Sequence, residues 1–101
     1  MIVVRFRVQC RPDRAEEVAA AMGDVVGPSR KMAGVLHFDV ARDVVDPTCV
    51  LAVEVFEDRA ALDRQEQLPE VAQAMKLFES GALVADPEYT IYEASSAESP
   101  S

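Results

Sequence analysis

Acid–base chemistry near neutrality narrows to a few side chains in this sequence. His37 is the single histidine, and imidazole is the one group whose ordinary pKa suits a base at neutral pH. Glu54, set in an apolar run, can act as a base if burial raises its pKa, a shift that Arg5 or Arg7 nearby would oppose. Gln65 offers a neutral donor and acceptor that can orient a hydroxyl or carbonyl but cannot take its proton. Phe6, Met22, Phe38, Phe56, Met75 and Phe78 supply the apolar, adaptable wall that a small-molecule site needs. Each also has an ordinary structural role: His37 at a sheet interface, Glu54 in an ion pair, Gln65 on an exposed helix face, and the aromatic and methionine stripe as core. The four glycines (Gly23, Gly27, Gly34, Gly81) are too scattered for a phosphate loop. No serine or cysteine stands in evident partnership with the histidine, and two cysteines with one histidine make a poor metal site. Acyl transfer, phosphoryl transfer and nicotinamide chemistry are therefore disfavoured, and no metal is expected.

The chain that must position these groups has 101 residues, enough for one domain and one core. Half of it is apolar and 28% is charged, which excludes a wholly disordered chain. Eighteen acidic residues against ten basic give a net charge of −8, which repels nucleic acid and anionic membrane. Arg5, Arg7, Arg11 and Arg14 are interleaved with apolar residues and form no basic tail. The opening Met-Ile-Val-Val-Arg-Phe-Arg has no secretory pattern, and no apolar run is long enough to span a membrane. The expectation is a cytoplasmic protein with no nucleic-acid or membrane partner.

Residues 2–10 alternate with period two, so Ile2, Val4, Phe6, Val8 and Cys10 share one face of a strand. After Arg11-Pro12, Asp13 can cap a helix with Glu16 three residues on, and Ala15 to Val26 repeat at helical spacing. Gly27-Pro28 predicts an end or kink there, with a short turn resuming over 29–33. Gly34 opens a second strand with Leu36, Phe38 and Val40 on one face, and Val35, His37, Asp39 and Ala41 on the other. A turn over 42–48 leads to the strongly β-like Cys49–Phe56. Glu57-Asp58 starts a helix that breaks near Leu68-Pro69, and Pro69 starts another. Tyr89 to Glu93 form the last strand, where Tyr89 and Tyr92 suit an interface or rim. The fold class this order predicts is α+β: a ferredoxin-like βαββαβ antiparallel sheet over 1–94 with helices on one face, and a disordered tail over 95–101. The first and third strands are then central neighbours, which brings Cys10 and Cys49 near each other as buried reduced thiols.

The third strand is apolar on both sides, so both faces of the sheet must be covered. The helices cover one, and a second copy of the chain is the economical cover for the other. On that interface the alternation gathers Arg5, Arg7, His37, Asp39 and Glu54, able to neutralise one another, with Val53 on the helix side. A ligand is expected between helices and sheet, where Gln65 would be the lone polar anchor.

Gly34-Val-Leu-His-Phe-Asp-Val, Arg42-Asp43, Asp46-Pro47, Val53-Glu-Val-Phe-Glu-Asp and Ala60-Ala61-Leu62 resemble the antibiotic biosynthesis monooxygenase family. Its members show a Ser-Arg-x-x-x-Gly entry to strand two, matched by Ser29, Arg30 and Gly34, and a Glu-x-aromatic end to strand three, matched by Glu54 and Phe56. The resemblance spans roughly residues 2–94. It implies a homodimeric α+β barrel that binds aromatic polyketides, quinols or other small molecules, some of which members oxidise with dioxygen and no metal or flavin. Two positions depart from the pattern. The usual histidine nine residues beyond the aromatic is Gln65, and the usual tryptophan is Phe56. The haem-degrading branch of these proteins uses asparagine, tryptophan and histidine where this chain has Phe6, Gln65 and Met75, so haem degradation is not expected.

The leading expectation is a monooxygenase needing no cofactor and acting on an aromatic or quinol-type molecule. The alternative is a non-catalytic module of the same fold that binds a small molecule or serves assembly, which the loss of the histidine favours. A third reading, an isomerase or cyclase, would need one acid–base group and no oxygen.

Overall fold

A computed structural model describes residues 1–100; Ser101, the end of the expected tail, lies outside the described residues. The strands are β1 (Ile2–Gln9), β2 (Val35–Arg42), β3 (Cys49–Phe56) and β4 (Glu88–Glu93). The helices are α1 (Ala15–Arg30), α2 (Arg59–Gln65) and α3 (Pro69–Leu77), the last running into a π turn over Phe78–Ala82. The four strands form one antiparallel sheet in the order β2-β3-β1-β4, with the helices on one face. The α+β ferredoxin-like fold read from the alternation is the fold observed.

Ile2, Val4 and Val8 of β1 and Val50, Ala52 and Phe56 of β3 are buried toward the helices, against Val18, Met22 and Val25 of α1 and Leu62 of α2. Cross-strand pairing fixes the faces, because residues directly opposite one another point the same way. Val4 lies opposite Glu54, and Glu54 opposite Phe38, so all three face the helices. Arg5 and Asp39 each lie opposite Val53, and His37 opposite Val55, on the open face.

Four local expectations need correction. Glu54 and Val53 exchange faces: Glu54 is inside, and Val53 is 40% exposed on the open side. The alternation in β2 is broken by a bulge between Val35 and His37, which turns Val35 inward with Phe38 and Val40 and leaves Leu36 46% exposed. Helix α1 runs through Pro28 to Arg30. Gly27 has no Cβ for the proline ring to meet, and the carbonyl that loses its helical partner belongs to the exposed Asp24. Asp13 does not cap α1; a 3-10 turn over Pro12–Arg14 feeds the helix without a side-chain cap. By contrast Asp58 does cap α2, its Oδ1 accepting the Ala61 amide at 2.9 Å, and Pro69 is the first residue of α3.

Cys10 and Cys49 are both buried and free. Gln9 stands opposite Cys49, so Cys10, one residue on, points to the other side of the sheet, and the two cannot pair in this register. Cys49 is instead approached by Arg7 Nη2 at 3.0 Å, and its thiol donates to Asp46 Oδ2 at 3.4 Å.

Gly34, just before β2, packs closely against α2. Its φ is 86°, and a Cβ there would lie 2.6 Å from Ala61 Cβ. The left-handed conformation and the contact both exclude a larger residue. Gly34→Ala should lower stability by on the order of 2–3 kcal/mol, measured by urea unfolding at constant m-value.

Candidate functional site

A cavity of about 320 Å³ lies between the sheet and the helices. The sheet supplies Phe6 from β1, Phe38 and Val40 from β2, Ala52 and Glu54 from β3, and Tyr89 from β4. Above them come Met22 and Val25 of α1, Leu62 and Gln65 of α2 with the adjoining Glu66, and Val71, Ala74 and Met75 of α3 with Phe78 just beyond it. The Phe6 ring stands between Phe78, 5.8 Å away, and Tyr89, edge-on at 6.1 Å. The π turn after α3 places Phe78 here and closes on Gly81 at φ 87°.

Of the six residues expected to line a site, five are on the wall of this cavity: Phe6, Met22, Phe38, Met75 and Phe78. Phe56 does not. It is wholly buried in the packing with Leu62 and Ile2 near the far end of β3, a core role that its aromatic type does not distinguish from a wall role.

Glu54 is 8% exposed, and among the described residues no ion pair or hydrogen bond of its carboxyl is found. The arginines expected to neutralise it are on the other face. Arg7 binds Glu88 at 3.0 Å and approaches Asp43 at 3.7 Å, while Arg5 stands 3.8 Å from Glu88. Asp39 pairs with Arg30 at 2.9 Å. Burial, and secondarily the charge of Glu66, therefore push the Glu54 carboxyl up to about 7. Tyr89 is pushed up to about 12, by burial first and then by Glu66 and Glu54.

Gln65 is 3% exposed rather than on an open helix face, and its Nε2 donates to the buried Ser29 Oγ at 3.0 Å. This bond joins α2 to α1 and leaves the Gln65 carbonyl oxygen and second N–H for a ligand. His37 is exposed on the open face of β2, across the sheet from the cavity. It cannot reach a ligand there within the same subunit.

Two polar residues of the cavity escape sequence reasoning. Glu66 follows Gln65 directly and reads as solvated helix surface, yet it is at the cavity wall, with the Tyr89 hydroxyl 3.4 Å from its Oε1. Tyr89 was legible only as an interface or rim residue. Burial pushes the thiols of Cys10 and Cys49 up, so neither is poised as a nucleophilic thiolate. Among the described residues no cluster of three or more histidine, cysteine, aspartate or glutamate side chains is placed to hold a metal ion. No helix of these residues is long and apolar enough to cross a membrane.

The sequence pattern of the antibiotic biosynthesis monooxygenases matches residues 1–77. Among solved structures, a Deinococcus radiodurans protein superposes with a TM-score of 0.87 at 22% identity, covering 98% of this chain and 97% of that one. Rv0793 of Mycobacterium tuberculosis gives 0.87 at 19% identity, covering 97% and 98%. The Synechocystis protein sll1783 is 34% identical over 68 residues, 67% of this chain. The chain spans about half the length of that relative, 46% of it being matched.

The raised Glu54 pKa has a thermodynamic sign. The folded state holds this proton to higher pH than the unfolded chain, so its contribution to stability is full below about pH 4.5 and is lost as pH rises through about 7. Glu54→Gln is neutral throughout. The stability of the variant minus that of the wild type should therefore rise by of order 3 kcal/mol across that window, read by urea unfolding at a series of pH values.

Proposed function

The chain belongs to the antibiotic biosynthesis monooxygenase family, and from that premise we propose that it oxidises a hydroxylated aromatic or quinol-type molecule with dioxygen, using Glu54 as the base. The observation that carries this reading is the buried, unpartnered Glu54 carboxyl on the wall of an apolar cavity. A base with a pKa near the working pH is the most effective one, and about 7 meets that condition.

In this mechanism the substrate lies flat against Phe6, Phe38 and Phe78 with its hydroxyl at Glu54. Ionised Glu54 takes the phenolic proton, and the electron-rich anion reacts with dioxygen at a methylene activated by the ring. A peroxide forms there and loses water. The balance is one methylene and one dioxygen giving one carbonyl and one water, with all four electrons supplied by the substrate. No flavin or metal is called for in that balance. The apolar wall limits bulk water, which would otherwise hold the anion in solvated form. The Gln65 amide, steadied by Ser29, is placed to orient a carbonyl or second hydroxyl. His37 has no role within its own subunit in this reading.

The open face of the sheet completes the proposal. Leu51, Val53 and Val55 run down its centre, with Val3 and Tyr92 beside them and the arginines Arg5 and Arg7 already paired to Glu88. We read this face as the seat of a second copy. Sedimentation should give a dimer at micromolar concentration, and Val53→Asp should yield a folded monomer by circular dichroism.

The chemistry is tested by following oxygen uptake with naphthols, anthrones and quinols. At least one should be turned over, with a rate that rises as pH passes about 7. Glu54→Gln should lower that rate by about 10²–10⁴-fold. Tight binding with no oxygen uptake by any of them would make the cavity a binding site and the family's chemistry lost.

A further inference from the structure

The cavity holds carboxyl groups at two depths, and no basic side chain lines it among the described residues. Glu54 stands on the sheet, nine-tenths buried and unpartnered. Glu66 stands at the exposed end of α2, with the Tyr89 hydroxyl against it and no ion pair found for it among the described residues. Phe6, Phe78 and the Tyr89 ring lie close together on the same cavity wall. Arg59 is the basic group near enough to act on Tyr89, but it sits outside the wall and reaches toward Glu93 at 4.0 Å.

Such a lining sorts ligands by charge. An anion entering it meets the Glu66 carboxylate at the mouth and, as pH rises through about 7, that of Glu54 deeper in, where less water screens it. The carboxylates already act on each other, since Glu66 is one of the two causes that raise Glu54. A cation at the mouth reverses both effects. It pairs with Glu66, makes the potential at Glu54 less negative, and can lie against the Tyr89 ring.

We propose that the substrate of this cavity is a hydroxylated aromatic bearing a protonated amine, its hydroxyl at Glu54 and its ammonium between Glu66 and Tyr89. This deepens the monooxygenase reading and rests on it for the role of the hydroxyl. It also makes Glu66 a specificity-determining residue, which no part of the oxidation itself requires. The ammonium is held at the exposed end, so the deep carboxyl stays free for the phenolic proton.

The test compares three hydroxyanthrones, each with the ring methylene that the oxidation uses, that differ in one substituent: aminomethyl, hydroxymethyl and carboxylate. Their affinities are measured by calorimetry on the wild-type protein, on Glu66→Gln, and on Asp24→Asn. The last removes one negative charge from an exposed residue that does not line the cavity. The aminomethyl compound should bind about tenfold or more tighter than the carboxylate, with the neutral compound between them. Glu66→Gln should reduce that spread several-fold, and Asp24→Asn should leave it unchanged. Equal or tighter binding of the carboxylate overturns the proposal. So does a spread that survives Glu66→Gln, or one that Asp24→Asn reduces as much, because overall charge would then be its source. Oxygen uptake separates the two readings. Charge-sorted binding without uptake defeats the monooxygenase reading alone, whereas equal uptake with all three compounds defeats this inference alone.

Discussion

The register of β3 between β1 and β2 is the constraint on which the site depends. Because Val4, Glu54 and Phe38 stand in one row, the glutamate faces the helices and the arginines of β1 face away. A slip of one residue would turn every side chain of β3 over. Glu54 would then stand beside Arg5 and Arg7, which would hold its carboxyl low and ionised. The cavity would lose its buried carboxyl and gain Val53. The same pairing that closes the sheet thus segregates charge, with arginines on one side and an unpaired carboxyl on the other.

That row explains what the sequence could and could not disclose. β1 alternates cleanly between apolar and polar residues, so its inner face was legible, and with it the sheet order and the place of the cavity. β3 is apolar at nearly every position, so it carries no periodic signal of which side is which. Alternation carried into β3 therefore sets Glu54 beside the arginines it could neutralise, and the pairing of Glu54 with Val4 and Phe38 overturns that placement. In β2 the fault was of another kind. A bulge adds one residue without any mark in composition, and Leu36 and Val35 are equally apolar, so the alternation alone could not show which of them turns inward. Glu66 and Tyr89 escaped because each sits at the edge of its element, where exposure and a cavity rim look alike in a sequence.

The short segment from Ser29 to Gly34 does three separate packing tasks for the site. Ser29 Oγ accepts from the Gln65 amide inside the core. Arg30 Nε donates to the Phe38 carbonyl at 2.9 Å, while its Nη2 binds Asp39, fastening the end of α1 to the strand that holds the Phe38 ring. Gly34 lets α2 approach β2 and accepts the Glu57 amide at 2.8 Å. Continuation of α1 through Pro28 is what places Ser29 at helical spacing from Val25, so both point inward. A helix that ended at Gly27 would have left the Ser29 hydroxyl and the Gln65 amide without each other. Two buried polar groups would then have been unpaired at a cost of about 1–3 kcal/mol each.

The two buried polar side chains of α2 and β3 therefore stand in opposite conditions. Gln65 is anchored within the protein through its bond to Ser29 and helps hold the cavity in shape. Glu54 is unsatisfied, and its ionisation above pH 7 opposes folding by of order 3 kcal/mol, a large part of what a domain of this size has to spare. Replacing it by an apolar residue of similar size would remove that burden without disturbing the sheet. The structure offers Glu54 no compensating contact, and on the proposed reading a ligand supplies the missing donor. A phenolic hydroxyl does so while the carboxyl is ionised, and the protonated carboxyl can in turn donate to the phenolate oxygen. Either way the proton stays between the same two oxygens. An apolar wall that excludes competing water makes that shared proton worth more than it would be in solution. On the proposed reading, the instability of the empty site and its capacity to bind and deprotonate a phenol have a single physical source.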